Sequence, residues 1–259
     1  MDASVLFSIE DQVACITLNR PAKLNSFNRE MALLLQQLLH TCHTSPEVRC
    51  VHITGAGKGF SAGQDLAEVT DPDGPGMQRI LSEHYNPVIL QIRRLGKPVV
   101  AAVNGVAAGA GANIALCCDI VLAAENASFI QAFSKIGLIP DSGGTFFLPR
   151  LIGWQKASAL AMLGDKVSAA EAAQMGMIYK TLPEENFTAQ TMAIAKQLAT
   201  MPTHALALIK QAMNSSLSNT LETQLHQEDQ LQQQAARTAD FKEGIQAFME
   251  KRTPVFTGS

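Results

Sequence analysis

The sequence predicts an α/β fold in which sheets are wrapped by helices, and three observations carry that expectation. A β-rich run, a glycine-rich turn and a helical pattern succeed one another over residues 48–95 and again over 98–118, as they do where strands alternate with helices. Short β-rich runs follow at 120–124 and 128–131, ahead of a helical segment at 143–152. From Ser168 onward long helical patterns take over; a helical tail behind an α/β body often serves association, so an oligomer is expected.

In chain order, residues 5–9 and 13–18 read as two strands joined by Glu10, Asp11 and Gln12, a hairpin. Pro21 breaks the extended run. Asn25 or Ser26 is expected to start the helix on which Met31, Leu34, Leu35, Leu38 and Leu39 recur at helical spacing. Residues 48–54 form the next strand, ended by Gly55, and the small-residue stretch 59–65 reads as a turn. Residues 67–75, with Pro72 and Pro75, read as a loop, and 77–95 as a helix bent near Asn86 and Pro87. A strand over 98–103 stops at the Asn104–Gly105 turn signal. Farther on, Ser168 and Glu171 have capping-box spacing and Gly176 marks a helix stop. Two long helical patterns close the chain, 189–201 and 203–237, the second with Leu221, Leu225 and Leu231 on an apolar stripe.

Composition narrows the function. The 259 residues supply ample apolar side chains for a core, and a net charge of −3 leaves no basic footprint for nucleic acid. No apolar run reaches membrane-spanning length, and the acidic start Met1–Asp2 is unlike a secretory leader. Five cysteines (Cys15, Cys42, Cys50, Cys117, Cys118) without a C-x-x-C pair suit a reduced, cytoplasmic protein. His40 and His43 lack the further ligands that a metal site needs, so no metal is expected. Gly-x-Gly matches occur without dinucleotide spacing.

The chemistry concentrates in two turns. Residues 104–112 contain only Gly, Ala and Val after Asn104, so something must approach that backbone closely. A helix opening there would aim unpaired N–H groups at an anion; tight strand–helix packing explains the same residues equally well. With the turn at 59–65, two N–H donors could converge on one oxygen, the arrangement that stabilises an oxyanion. The best-placed acid–base group is Asp141, between Pro140 and the Gly143–Gly144 pair in apolar surroundings that should raise its pKa. Its competing role is to cap the helix that follows. Asp119 and Asp165 read as turn or cap residues, and Ser142 lacks a nucleophile-elbow pattern.

These residues resemble the crotonase superfamily, the enoyl-CoA hydratases and isomerases, over essentially the whole chain. The matching pieces are Leu18–Asn19–Arg20–Pro21 with Asn25, Gly59 to Leu66, Lys97 to Gly111, Cys118–Asp119–Ile120, Gly137–Leu138–Ile139–Pro140, Gly143–Gly144 and the tail Phe248 to Phe256. The resemblance implies a spiral of β-β-α units over residues 1–195 and a C-terminal helical region, 196–259, that builds homotrimers or hexamers. It implies an acyl-CoA thioester as substrate, with coenzyme A part of that substrate and no separate cofactor. Its carbonyl oxygen would accept from the backbone N–H groups of Gln64 and Ala110. Lys23, Leu24, Ala62, Asp65 and Leu66 would cradle the CoA, closed over by Phe248 and Lys251 from a neighbouring subunit's tail.

The chain departs from the hydratase pattern of two glutamates. Phe133 is expected at the first of those positions and Ala159 at the second, so addition of water should be poor. Asp141 is left as the carboxylate, at a position used by some superfamily isomerases. Within the superfamily, residues 132–135, 85–87, 146–150 and 203–211 resemble isomerases that act on ring epoxides of aryl-acyl-CoA in phenylacetate degradation. A 3,2-enoyl-CoA isomerase or enoyl-CoA hydratase-like enzyme of fatty-acid oxidation, and a non-catalytic acyl-CoA-binding role, are the alternatives. Phe133, Phe146, Leu138 and Tyr85 are expected as an apolar wall, with core packing as the competing reading for Phe133; the Tyr85 hydroxyl is a candidate donor to an oxygen of the substrate, against surface or loop packing.

Overall fold

Two sheets carry the strand–turn–helix units of the computed structural model, which describes residues 3–259; Met1 and Asp2, with the reading placed on them, lie outside the described residues. The larger sheet begins with the expected hairpin, β1 (Val5–Glu10) and β2 (Val13–Leu18), antiparallel from Val5 opposite Leu18 to Glu10 opposite Val13. Asp11 and Gln12 make its turn, both with positive φ.

Helix α1 (Arg29–Thr44) follows, but neither Asn25 nor Ser26 starts it. Asn28 does, its side chain accepting from the Met31 amide at 3.1 Å. Asn25 is fully buried instead, and its Nδ2 donates to the carbonyls of Ala56 and Gly59, pinning the turn after the next strand. That strand is β3 (Cys50–Gly55).

The stretch read as a turn contains a second-sheet strand, β4 (Gly59–Ser61). The stretch read as a loop opens with a short helix, α2 (Leu66–Thr70), capped by Asp65. The expected bent helix is there in three parts: α3 (Gly76–Arg79), a π-helical turn over Ile80–Tyr85, and α4 (Asn86–Arg94). Pro87 sits at the start of α4, where its missing N–H costs nothing.

β5 (Val99–Val103) is buried along its whole length, as befits a parallel strand covered on both faces. β6 (Val106–Ala108) and α5 (Ala110–Leu116) come next, then β7 (Ile120–Ala124) and β8 (Ser128–Ile130). After these lie α6 (Gly144–Ile152), α7 (Trp154–Leu163), β9 (Lys166–Ser168), α8 (Ala169–Gln174) and β10 (Lys180–Leu182). Ser168 and Glu171 form the capping box of α8. The large sheet runs β1-β2-β3-β5-β7-β10 and the small one β4-β6-β8-β9.

Helix α9 (Phe187–Thr200) lies against β3 and buries Thr191, Ala195 and Ala199, so the division expected between residues 195 and 196 falls inside it. Thr191 meets the Nε2 of His52 at 3.1 Å, and burial pulls that imidazole down to about 4, which keeps it neutral. The pattern read as one helix over 203–237 is two, α10 (Thr203–Ser216) and α11 (Leu221–Ala235), because Thr220 caps the second one. Of its leucine stripe only Leu231 is buried.

The chain ends with α12 (Ala239–Glu250) and a tail that folds back. Buried Arg49 donates to Thr203 Oγ1, Met201 O and Phe256 O, while the Asp240 carboxylate accepts from the amides of Thr257 and Gly258. Helix α10 is tied to the sheet by Lys210, whose Nζ donates to Asp119 Oδ2 at 2.7 Å; Arg93 pairs with the other oxygen at 3.2 Å. Asp119 is thereby a structural anion, and its Oδ2 also accepts from the Val99 amide. Among the described residues no helix is long and apolar enough to cross a membrane.

Candidate active site

The site follows from the small sheet. β4 and β6 are parallel neighbours, with Gly59 opposite Val106 and Ser61 opposite Ala107, and β8 is parallel to β6 in turn. Neighbouring parallel strands end on the same side. The segments leaving β4, β6 and β8 therefore deliver Gln64, Ala110 and Gln131 with Phe133 to one place.

Glycine is required where these segments touch. A Cβ on Gly63 would lie 2.8 Å from the Ala108 carbonyl oxygen and 3.4 Å from the Ala110 nitrogen, so the two turns are in contact. Gly109 has φ 52° and ψ −128°, a backbone state that only glycine adopts without strain. The small residues of 104–112 thus serve both readings at once: tight packing, and a helix opening at the cleft.

The direction of the Gln64 amide can be derived. Phe27 N donates to Gly63 O at 2.7 Å and Asp65 N donates to Phe27 O at 2.8 Å, a parallel bridge. In a trans peptide the N–H points opposite to the C=O, so the Gln64 N–H points away from Phe27. Ala110 is the first residue of α5, where amides have no partner within the helix. Among the described residues neither amide donates to a hydrogen bond.

Asp141 stands in a turn with two left-handed residues, Ser142 at φ 51° and Gly143 at φ 75°. Its main-chain oxygen accepts from Gly144 N and from Asn113 Nδ2, each at 2.8 Å, and its Oδ1 accepts from Ser142 Oγ at 2.8 Å. Desolvation raises its pKa, and the Ser142 hydroxyl offsets part of that rise. The helix-capping reading is overturned: the N-cap of α6 is Gly143, and no side chain caps the helix. The polar groups around it are amides and hydroxyls. Asn113 Oδ1 accepts from Gln131 Nε2 at 2.8 Å, and Tyr85 is close enough for the Asp141 charge to raise its pKa further, on top of the larger effect of burial.

Phe133 is buried but stands apart from the contiguous core, with its ring 3.7 Å from where a Gly109 Cβ would be. It covers the peptide next to the Ala110 amide. Ala159 does not share this position. It is exposed on α7, outside the cleft, so its lack of a carboxyl says nothing about hydration. The polar side chain that does face the Asp141 turn from α5 is Asn113, which the sequence reading missed. Its signal was a lone polar residue in the apolar run of α5.

The apolar wall is also divided. Leu138 lines a depression of about 400 Å³ with Pro140, Gly144, Leu148 and Trp154. Phe146 lines another, of about 380 Å³, with Ile89, Arg93, Gly143 and Phe147. The Asp141 turn separates the two. Tyr85 is not at the surface either: it is buried, and its hydroxyl donates to Gln64 Oε1 at 2.7 Å.

Around Gln64 the remaining candidates form one surface. Leu24 O accepts from Ala62 N at 2.9 Å, and Lys23 precedes it in a short 3-10 turn. Asp65 pairs with Arg20 at 2.8 Å and caps α2, whose first residue, Leu66, is 56% exposed. Phe248, 85% exposed, lies near the end of α12, and Lys251 is its C-cap residue.

A spiral of parallel strands with two free amides, a half-buried carboxylate and a helical tail is the crotonase-like arrangement, and the chain belongs to the enoyl-CoA hydratase/isomerase family, whose sequence profile matches residues 8–259. Among its relatives is 1,2-epoxyphenylacetyl-CoA isomerase of Escherichia coli K12, 49% identical over 257 residues, 98% of each chain. The 2,3-dehydroadipyl-CoA hydratase of the same organism is 35% identical over 256 residues, 99% of each. The solved enoyl-CoA hydratase of Bacillus anthracis superimposes with a TM-score of 0.92 at 33% identity, covering 99% of this chain and 100% of that one.

Proposed function

We propose that the protein isomerises acyl-CoA thioesters by moving a proton through Asp141, and that its substrate is an aryl-acyl-CoA ring epoxide converted to the oxepin-CoA. The observation that carries the reading is the placement of one half-buried, pKa-raised carboxylate in a turn bonded to the helix whose first amide is Ala110. The thioester oxygen is received by the N–H groups of Gln64 and Ala110. Charge developing there as a C2 proton leaves meets donors already in place; loss of one such donor costs about 2.7–4 kcal/mol.

Asp141 takes the C2 proton and the electrons move into the enolate. In a double-bond shift the same carboxyl returns the proton at C4. In the epoxide, the same charge movement assists ring opening, and Asp141 gives the proton back to the opening ring so that the oxepin keeps every atom of the substrate. The raised pKa suits a group that must both take and give back a proton. Phe133 keeps water from the enolate, and the 49% identical isomerase supports the aryl substrate.

The surface at Lys23, Leu24, Ala62, Asp65 and Leu66 holds the CoA. Exposed Phe241, Ile245, Phe248 and Met249 on α12 support association into a trimer or hexamer, in which Phe248 and Lys251 reach a neighbour's CoA.

Turnover of the aryl epoxide thioester compared with straight-chain 3-enoyl-CoA tests the assignment. The aryl thioester is expected to have the higher kcat/KM. Preference for alkyl chains would make the protein a 3,2-enoyl-CoA isomerase, and turnover of neither would make it a binding protein.

A further inference from the structure

The Gln64 amide needs only its N–H to receive an oxyanion, yet its side chain is held by three hydrogen bonds. Tyr85 Oη donates to Oε1 at 2.7 Å, and Nε2 donates to Glu68 Oε2 at 2.8 Å and to Asp65 O at 3.3 Å. Glu68 is fixed in turn, its Oε1 accepting from the Arg29 amide at 2.7 Å. Tyr85 also touches the other half of the bridge: its ring meets Phe27 edge-on, with centroids 5.9 Å apart at 69°. One side chain therefore grips both residues of the Phe27–Gln64 pair, the ring on one and the hydroxyl on the other.

The need for such a grip lies in Gly63. At φ 88° and without a Cβ, it leaves the peptide that carries the Gln64 N–H free to rock. Phe27 holds the carbonyl side of that peptide only. Anchoring the Gln64 side chain fixes its Cα, and with it the direction of the N–H. Tyr85 is the last residue of the π-helical turn; such turns insert an extra residue into helical register and recur at functional sites.

We propose that Tyr85 is a positioning residue for catalysis: through Gln64 Oε1 and Phe27 it sets the direction of the oxyanion amide. This rests on the reading that Gln64 N–H receives the thioester oxygen. Tyr85 contacts no substrate in this role.

The test uses the full chain and a conjugated thioester, cinnamoyl-CoA, whose absorption moves to longer wavelength when its carbonyl is polarised. Wild type and Asp141→Asn are expected to show the full shift. Tyr85→Phe keeps the ring on Phe27 and removes only the donor; it is expected to lose at least about half of the shift. Its kcat for 3-enoyl-CoA should fall about tenfold, part of the 10²–10³ that a whole donor supplies, with KM within about twofold. Gln64→Met, which keeps the amide and drops the side-chain bonds, should behave alike and serves if Tyr85→Phe does not fold. A full shift and unchanged kcat in both variants, even with a lowered Tm, would overturn the proposal. No shift in wild type would overturn the oxyanion reading itself.

Discussion

Asn113 Nδ2 donates to the main-chain oxygen of Asp141 at 2.8 Å, so the helix that begins with the Ala110 amide also holds the peptide of the carboxylate. The Ala110 amide, proposed as an oxyanion donor, and the Asp141 carboxylate, proposed as the proton acceptor, are thereby fixed to one rigid element. A Cβ on Gly144 would lie 2.4 Å from the same Asn113 nitrogen, which shows how closely α6 sits on α5.

Asn113→Ala should loosen that coupling. It leaves the Gln131 amide without its acceptor and the Asp141 oxygen with one donor fewer. An unsatisfied buried group costs about 1–3 kcal/mol, so chemical denaturation should show a loss of that size, and kcat should fall while thioester affinity holds. Unchanged kcat would mean that the Asp141 turn is held without Asn113.

Gly63→Ala should close the oxyanion site. The added Cβ would approach the Ala108 oxygen to 2.8 Å at a residue with φ 88°. The two turns must then separate and the amides diverge. Steady-state kinetics should show kcat down by about 10²-fold or more, the loss typical of one donor; near-normal kcat would show that the turns need not touch.

Much of this was legible in the sequence, for identifiable reasons. The hairpin and β5 announce themselves through runs such as Val99–Val103, whose burial on both faces demands apolar residues throughout. β4 and β6 do not: their Gly, Ser and Ala residues were selected for close approach, and so read as turns. The π-helical turn was visible only as a bend near Pro87, because helical spacing continues through it. The pattern over 203–237 concealed a break, since Thr220 caps α11 with apolar spacing intact on both sides. Asp141 stood out by its apolar setting; Asn113 is marked locally only as a lone polar residue in an apolar run, and its partner, the Asp141 main-chain oxygen, lies 28 residues away in sequence. Ala159 was matched to the second glutamate position by resemblance, and a match along the sequence does not tell which face of α7 the residue occupies.

Burial of Asp141 should cost stability at neutral pH. Its folded pKa is raised by desolvation, so the folded chain binds more protons than the unfolded one between the ordinary carboxylate range and the raised value. Stability then falls as pH rises through that window and stays lowered above it. Asp141→Asn should raise Tm at pH 7, with the gain vanishing at a pH below the ordinary carboxylate range. An equal gain at both pH values would point to another cause.

Lys210→Met should weaken the attachment of α10. Breaking a buried pair costs about 3–5 kcal/mol, and Arg93 remains to compensate Asp119, which places the loss toward the lower end. Denaturation at neutral pH measures it. A stable variant would mean that packing alone holds α10.

The central claim is that Asp141 carries the C2 proton of a thioester whose oxygen lies between the Gln64 and Ala110 amides. Exchange of the C2 hydrogens of phenylacetyl-CoA in D2O, followed by NMR, reads that step without any later chemistry. The wild-type protein should catalyse the exchange, and Asp141→Asn should lose about 10²–10⁴-fold of it, the contribution of a general base, while binding the thioester as well as before. Equal exchange by both proteins would contradict the account.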